Sequence, residues 1–142
     1  MKVIYRTLFV LCFLGCSEDE PLKESDILGK WEYAKNTAAE IVNHQERKEK
    51  PAGSVRSSWS TGNYSKIENF EGGQVQVQHF NGSLDEGTWE WESGFFNVNL
   101  TGWGIDKNKS SRDYFVISKH ISEGGPSVYH SWVYREYYRK VD

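Results

Sequence analysis

The chain has 142 residues, a formal net charge of −3 and two cysteines. That is one domain's length, and the acidic balance excludes the basic field that nucleic-acid binding needs. Six tryptophans, eight tyrosines and seven phenylalanines make the chain rich in residues that fill strands and binding surfaces.

The first residues read as an address. Lys2 and Arg6 precede the apolar run 7–14, and the small residue Gly15 precedes Cys16. This is the layout of a cleavable export signal, and the run is too short to span a bilayer. Phe13-Leu14-Gly15-Cys16 resembles the lipobox of bacterial lipoprotein signals, with Phe13 where leucine is usual. The resemblance implies that residues 1–15 are removed and that the Cys16 thiol is lipidated. Further acylation of the new amine would add the second or third chain that stable anchoring requires. Ser17, Glu18, Asp19 and Glu20 resemble the signal that sends lipoproteins to the outer cell surface in Bacteroidetes-type bacteria. The expected location is therefore the bacterial outer membrane, lipid-anchored and facing outward, with 16–26 as a polar tether and 27–142 as the folded domain. Cys12 would leave with the signal and Cys16 would carry lipid. Stability must then come from packing rather than disulfides.

The tether leads through a short turn at 25–28 into a strand at 29–35, where Trp31 and Tyr33 share a face. Thr37 and Glu40 have the spacing of a capping box, and Ala38, Ile41, Val42 and Gln45 follow at helical spacing up to Pro51. The pattern predicts a short amphipathic helix over 37–50. From Gly53 the chain reads as β structure, with a weak strand at 54–60 and strands at 64–70 and 74–80 around a glycine turn. Asn81-Gly82 is a hairpin dipeptide. The segment 87–100 reads as a hairpin with a two-residue turn at Ser93-Gly94, pairing Trp91 with Phe96 and Trp89 with Val98. Its apolar residues, Phe95 apart, then share one face, which a one-residue slip would destroy. Residues 101–111 read as a polar loop, and 112–121 and 127–141 as the last two strands. Seven or eight short antiparallel strands joined by tight turns predict an all-β meander closing into a small barrel, with one short helix after the first strand.

Gly29-Lys30-Trp31, after the apolar Ile27-Leu28, resembles the opening of the lipocalins, and Arg112-Asp113-Tyr114 is similar to that family's T-D-Y motif. The resemblance implies a lipocalin-like barrel of about eight strands whose closed end is plugged by Trp31. It also implies an arginine from the last strand, Arg135 or Arg139, packed across that tryptophan and bonded to the backbone of the preceding turn. The lipobox and barrel together look most like the small lipocalin-like lipoproteins of Bacteroidetes. The helix expected after the first strand is similar to the lid of fatty-acid-binding proteins.

No metalloprotease, nucleophile-elbow, phosphate-loop or C-x-x-C motif occurs, so the chain reads as non-catalytic and without cofactor or metal. His44, His79, His120 and His130 lack ligand spacing, although His120 and His130 fall on the last hairpin. Asp106, Asn108 and Ser110 mimic only the start of a calcium loop. Two functions of different kinds follow. A hollow barrel would hold a small apolar ligand against Trp31, Val75, Val77, His79, Trp89, Trp91, Phe96 and Val98, under the helix as lid. A filled barrel would instead be a surface-tethered protein-interaction module, an inhibitor, immunity or outer-membrane accessory lipoprotein, anchored by Trp59, Trp103 and Tyr137. The membrane is the partner common to both, through the lipid.

Overall fold

The computed structural model describes residues 20–124 and 130–142. The expected export signal, Cys16 and the residues 125–129 between the last two strands lie outside the described residues. A turn of 3-10 helix at Glu24–Ile27 leads into β1 (Gly29–Val42). Two short strands follow, β2 (Gln45–Glu46) and β3 (Lys50–Pro51), then a single helical turn α1 (Ala52–Val55) and a 3-10 turn at Ser57–Trp59. The remaining strands are β4 (Tyr64–Phe70), β5 (Gln74–His79), β6 (Leu84–Glu90), β7 (Phe95–Val98), β8 (Trp103–Ile105), β9 (Tyr114–Glu123) and β10 (His130–Lys140).

Each strand from β4 to β10 pairs antiparallel with the next, and β1 closes the ring by pairing with β4 on one side and β10 on the other. The fold is an all-β, closed, eight-stranded lipocalin-like barrel, with β2 and β3 as additions to β1. Closure removes the free edges that an open sheet of this size would expose. The β1–β10 seam is the longest, running from Trp31 opposite Lys140 to Ile41 opposite Ser131. We call the end where β1 begins the closed end and the opposite end the open end.

The helix expected over 37–50 does not form. Residues 37–42 continue β1, and Asn43 and His44, with φ of 51° and 63°, make a two-residue hairpin turn into β2. The register slips between Tyr33 and Lys35. This bulge reverses which residues face inward: Trp31 and Tyr33 before it, Asn36 and Ala38 after it. The break in alternation imitates helical spacing, while the ladder to β10 holds the backbone extended. The one helical turn lies instead at Ala52–Val55, and the stretch read as a weak strand at 54–60 holds that turn and the 3-10 turn.

Two further differences concern β6 to β8. The β6–β7 hairpin pairs Trp89 with Phe96 and Gly87 with Val98, two residues away from the expected register. A slip of two keeps every side chain on its face, so alternation alone could not distinguish the two registers. Trp91 sits in the turn, where its carbonyl accepts from Gly94 N–H at 3.1 Å, and it is still buried. The segment read as a polar loop contains β8, whose Trp103 and Ile105 face the core.

Candidate functional site

The closed end is sealed by the chain's way in. Trp31 is fully buried, and its indole N–H donates to the Ile27 carbonyl at 3.0 Å. Gly29 holds a φ of +100°, a conformation that side chains rarely adopt. The Lys140 ammonium lies 4.6 Å from the centre of the Trp31 ring and donates to the carbonyls of Leu28 at 2.7 Å and Asp26 at 3.3 Å. A lysine therefore makes the cation and backbone contacts that the resemblance assigned to an arginine. Arg139 is exposed beside Tyr114, and Arg135 lies on the outer face. The correction follows from alternation along β10: Tyr134, Glu136, Tyr138 and Lys140 face inward, and Arg135, Tyr137 and Arg139 face outward.

Arg135 is the centre of an ionic strap across the outside of β10. Its guanidinium is bidentate to Glu46, at 2.5 and 2.8 Å, and donates to Glu49 at 3.1 Å and Asp106 at 2.5 Å. Lys109 pairs with Glu49 at 3.1 Å, and the Tyr137 hydroxyl donates to the same carboxylate. Burial opposes the charge on Arg135, but Glu46 and Asp106 outweigh it and hold the group above its ordinary range. The Arg135 bonds hold the Glu46 carboxyl below the carboxylate range; at Glu49, burial acts upward and is outweighed by Lys109, Tyr137, Thr37 and Arg135. The segment between β2 and β3 is thereby tied over the barrel wall. Asp106, the first residue of the calcium-like stretch, is consumed in this strap.

The interior divides into two halves. Trp31, Ile67, Val75, Val77, Trp89, Phe96, Val98, Phe115 and Ile117 fill the lower half, all at 2% exposure or less. Above them, Glu136 is fully buried inside the barrel. It accepts from the Asn63 backbone and side-chain amides, both at 2.7 Å, from the Tyr134 hydroxyl at 3.0 Å and from the Tyr138 hydroxyl. Burial pushes its carboxyl up, and those four donors oppose the shift.

Asn63 ends a cover over the open end that begins at α1. The cover is latched by the Arg56–Glu123 ion pair, by the Asn36 amide on the Trp59 carbonyl at 2.7 Å, and by Asn63 on Glu136. Trp59 packs edge-on against Trp132 and Tyr134. Gly62 passes so close to the Tyr33 ring that a Cβ there would lie 2.4 Å from it. A polar pocket of about 210 Å³ remains at this mouth, lined by Ser58, Trp59, Thr61, Gly62, Asn63, Lys119 and Tyr134.

Of the residues expected to line a cavity, Val75, Val77, Trp89, Trp91, Phe96 and Val98 are packed core. His79 does not point into the core; it sits half-buried at the rim, 2.7 Å from Asp85 and edge-on to Tyr64. The expected protein-binding anchors are also occupied: Trp103 and Tyr137 are buried, and Trp59 is part of the cover. His120 and His130 are not opposite each other, since β9 pairs His120 with Val133 and Glu123 with His130. Among the described residues no group of three or more His, Cys, Asp or Glu side chains is placed to hold a metal. The sequence reading missed Lys119, Glu136 and Lys140. Strict alternation in 115–121 and 134–140 was the signal that would have turned all three inward. No protein-family model, no curated protein and no solved structure matches this chain.

Proposed function

We propose that the protein is a non-catalytic lipoprotein of the bacterial outer membrane, held by lipid on Cys16 and facing the cell surface, that binds through the open end of its barrel. The observation that carries this is the polarity of the fold. The segment that would carry the anchor joins the barrel at the closed end, where Trp31 and Lys140 fasten residues 26–28. An anchored barrel would then turn its mouth and cover away from the membrane. The apolar ligand expected inside the barrel meets a lower half already occupied by side chains, which supports binding at the mouth instead. A protein partner is the second reading. It loses its expected anchors but is supported by Phe80, Leu84 and Leu100, all more than half exposed near the open end. The test of the anchor is whether Cys16 takes up a fatty acid.

A further inference from the structure

Among the described residues, the exposed large apolar side chains divide between the two ends of the barrel. Phe80, Leu84 and Leu100 belong to the open end, and Phe70 and Phe95 to the closed end, at 41% and 47% exposure. Phe70 is the last residue of β4, immediately before the turn into β5, and Phe95 is the first of β7, immediately after the turn from β6. The register puts both turns at the end where β1 begins, with Gly29 opposite Asn69 and Gln74 opposite Thr88. Neither ring has an apolar partner across the ladder. Phe70 is opposite Gln74, and Phe95 lies between Glu90 and Gly104.

The tether decides what can cover this end. Leu22 packs half-buried against the core cluster, so the barrel holds the chain from there onward. Cys16 stands six residues earlier. Fully extended, that stretch reaches about 20 Å. β1 is 14 residues long. At ~3.3 Å per residue and a tilt of roughly 40°, the barrel measures about 30 Å or more from end to end. A lipid on Cys16 therefore brings the bilayer within reach of the closed end and keeps the open end from it. The charges decide the kind of contact. Glu71, Glu90 and Glu92 stand exposed around the two rings, and the Lys107 ammonium beside them is spent on the Glu92 carbonyl at 2.7 Å. Acidic surroundings give no attraction to anionic headgroups, which leaves apolar contact.

We propose that the closed end sits on the bilayer that holds the lipid, with Phe70 and Phe95 in the headgroup layer. The proposal rests on the reading that Cys16 is lipidated. Two side chains alone bind a bilayer weakly, but the tether makes their contact intramolecular, so weak contact is enough. Seated this way, the barrel has its mouth fixed on the far side from the membrane.

The test places the full chain, processed in a Bacteroidetes-type host, in phosphatidylcholine vesicles whose acyl chains carry bromine. A fluorophore is attached to one introduced thiol, Ser93→Cys in a closed-end turn or Ser83→Cys in an open-end turn, since Cys12 leaves with the signal and Cys16 is capped by lipid. The Ser93→Cys label is expected to be quenched by the brominated chains and the Ser83→Cys label to be spared. Phe70→Ser combined with Phe95→Ser is expected to abolish the quenching while the protein still floats with the vesicles. Raising the salt to about 1 M is expected to leave the quenching unchanged. Two labels equally spared show a barrel free on its tether and overturn the seating, with the anchor intact. Stronger quenching at Ser83→Cys overturns it as well, and quenching lost in salt overturns the apolar contact. Failure to float with the vesicles overturns the lipid reading and this proposal with it. If the double variant does not fold, the comparison of the two labels on the otherwise unaltered chain decides alone.

Discussion

Arg135 gives the sharpest test of how the barrel wall is held. Its side chain is 6% exposed and makes contacts of 2.5–3.1 Å to three carboxylates, Asp106, Glu49 and Glu46, themselves 11%, 20% and 36% exposed. Arg135→Met keeps the length of the stem and removes the charge. Three carboxylates are then left together with Lys109 as their remaining close cation. Breaking a buried pair from one side costs about 3–5 kcal/mol, and the exposure of Glu46 puts this case at the lower end, near ~3 kcal/mol. For a domain of this size that corresponds to a fall in Tm of roughly 10 °C, read by circular dichroism at neutral pH. The pH dependence has a definite sign. Glu46 and Glu49 have folded values below their unfolded ones, so their contribution is present above about pH 4.3 and is lost as pH falls through the folded values. The gap between parent and Arg135→Met should therefore narrow on acidification. A fall of less than about 2 °C, or a gap that does not change with pH, refutes the strap as a stabilising element.

At the closed end, Lys140→Met removes two carbonyl contacts and the cation over Trp31, and should cost about 1.5 kcal/mol in urea unfolding, with Lys140→Arg retaining most of it. Arg139→Met, on an exposed side chain, should stay within about 0.5 kcal/mol, and the reverse order would contradict the closure described here. Inside the barrel, burial raises the Glu136 carboxyl above its unfolded value near 4.3. The unfolded chain then gives up this proton first, so the parent loses stability as pH rises from the unfolded value through the folded one. Glu136→Gln removes that dependence. Its urea midpoint relative to the parent should improve between about pH 4 and pH 7, and a constant difference would remove Glu136 as the source.

The barrel was legible because its strands alternate. Val75 and Val77, Trp89, Phe96 and Val98 are period-two patterns, and each is on the face the pattern assigned. The errors arose where one residue interrupts a period or where parity cannot decide. The Ala34 bulge made the second half of β1 read as a helix, although Asn43-His44 is a pair that accepts positive φ in a hairpin turn. The β6–β7 register was off by an even number, which burial cannot detect. The site was less legible than the fold. The arginine expected across Trp31 came from the resemblance and runs against alternation in β10, whereas His79 continues the alternating face of Val75 and Val77 and still sits half-buried at the rim, where β5 ends beside Asp85. Applied to β9 and β10, alternation turns Lys119, Glu136 and Lys140 inward and both arginines outward. What it cannot give is the cover, because α1 and the 3-10 turn are held by long-range bonds from Asn36, Glu123 and Glu136.

The proposed barrel is tethered at its closed end with its mouth turned outward, and that orientation depends on the lipid at Cys16. The most direct measurement expresses the chain in a Bacteroidetes-type host fed an alkyne-bearing fatty acid and determines the mass of the N-terminal peptide. The peptide is expected to begin at Cys16 with acyl groups attached, and Cys16→Ser is expected to remain unlabelled and uncleaved. An unmodified Cys16, or a chain that keeps residues 1–15, would contradict it.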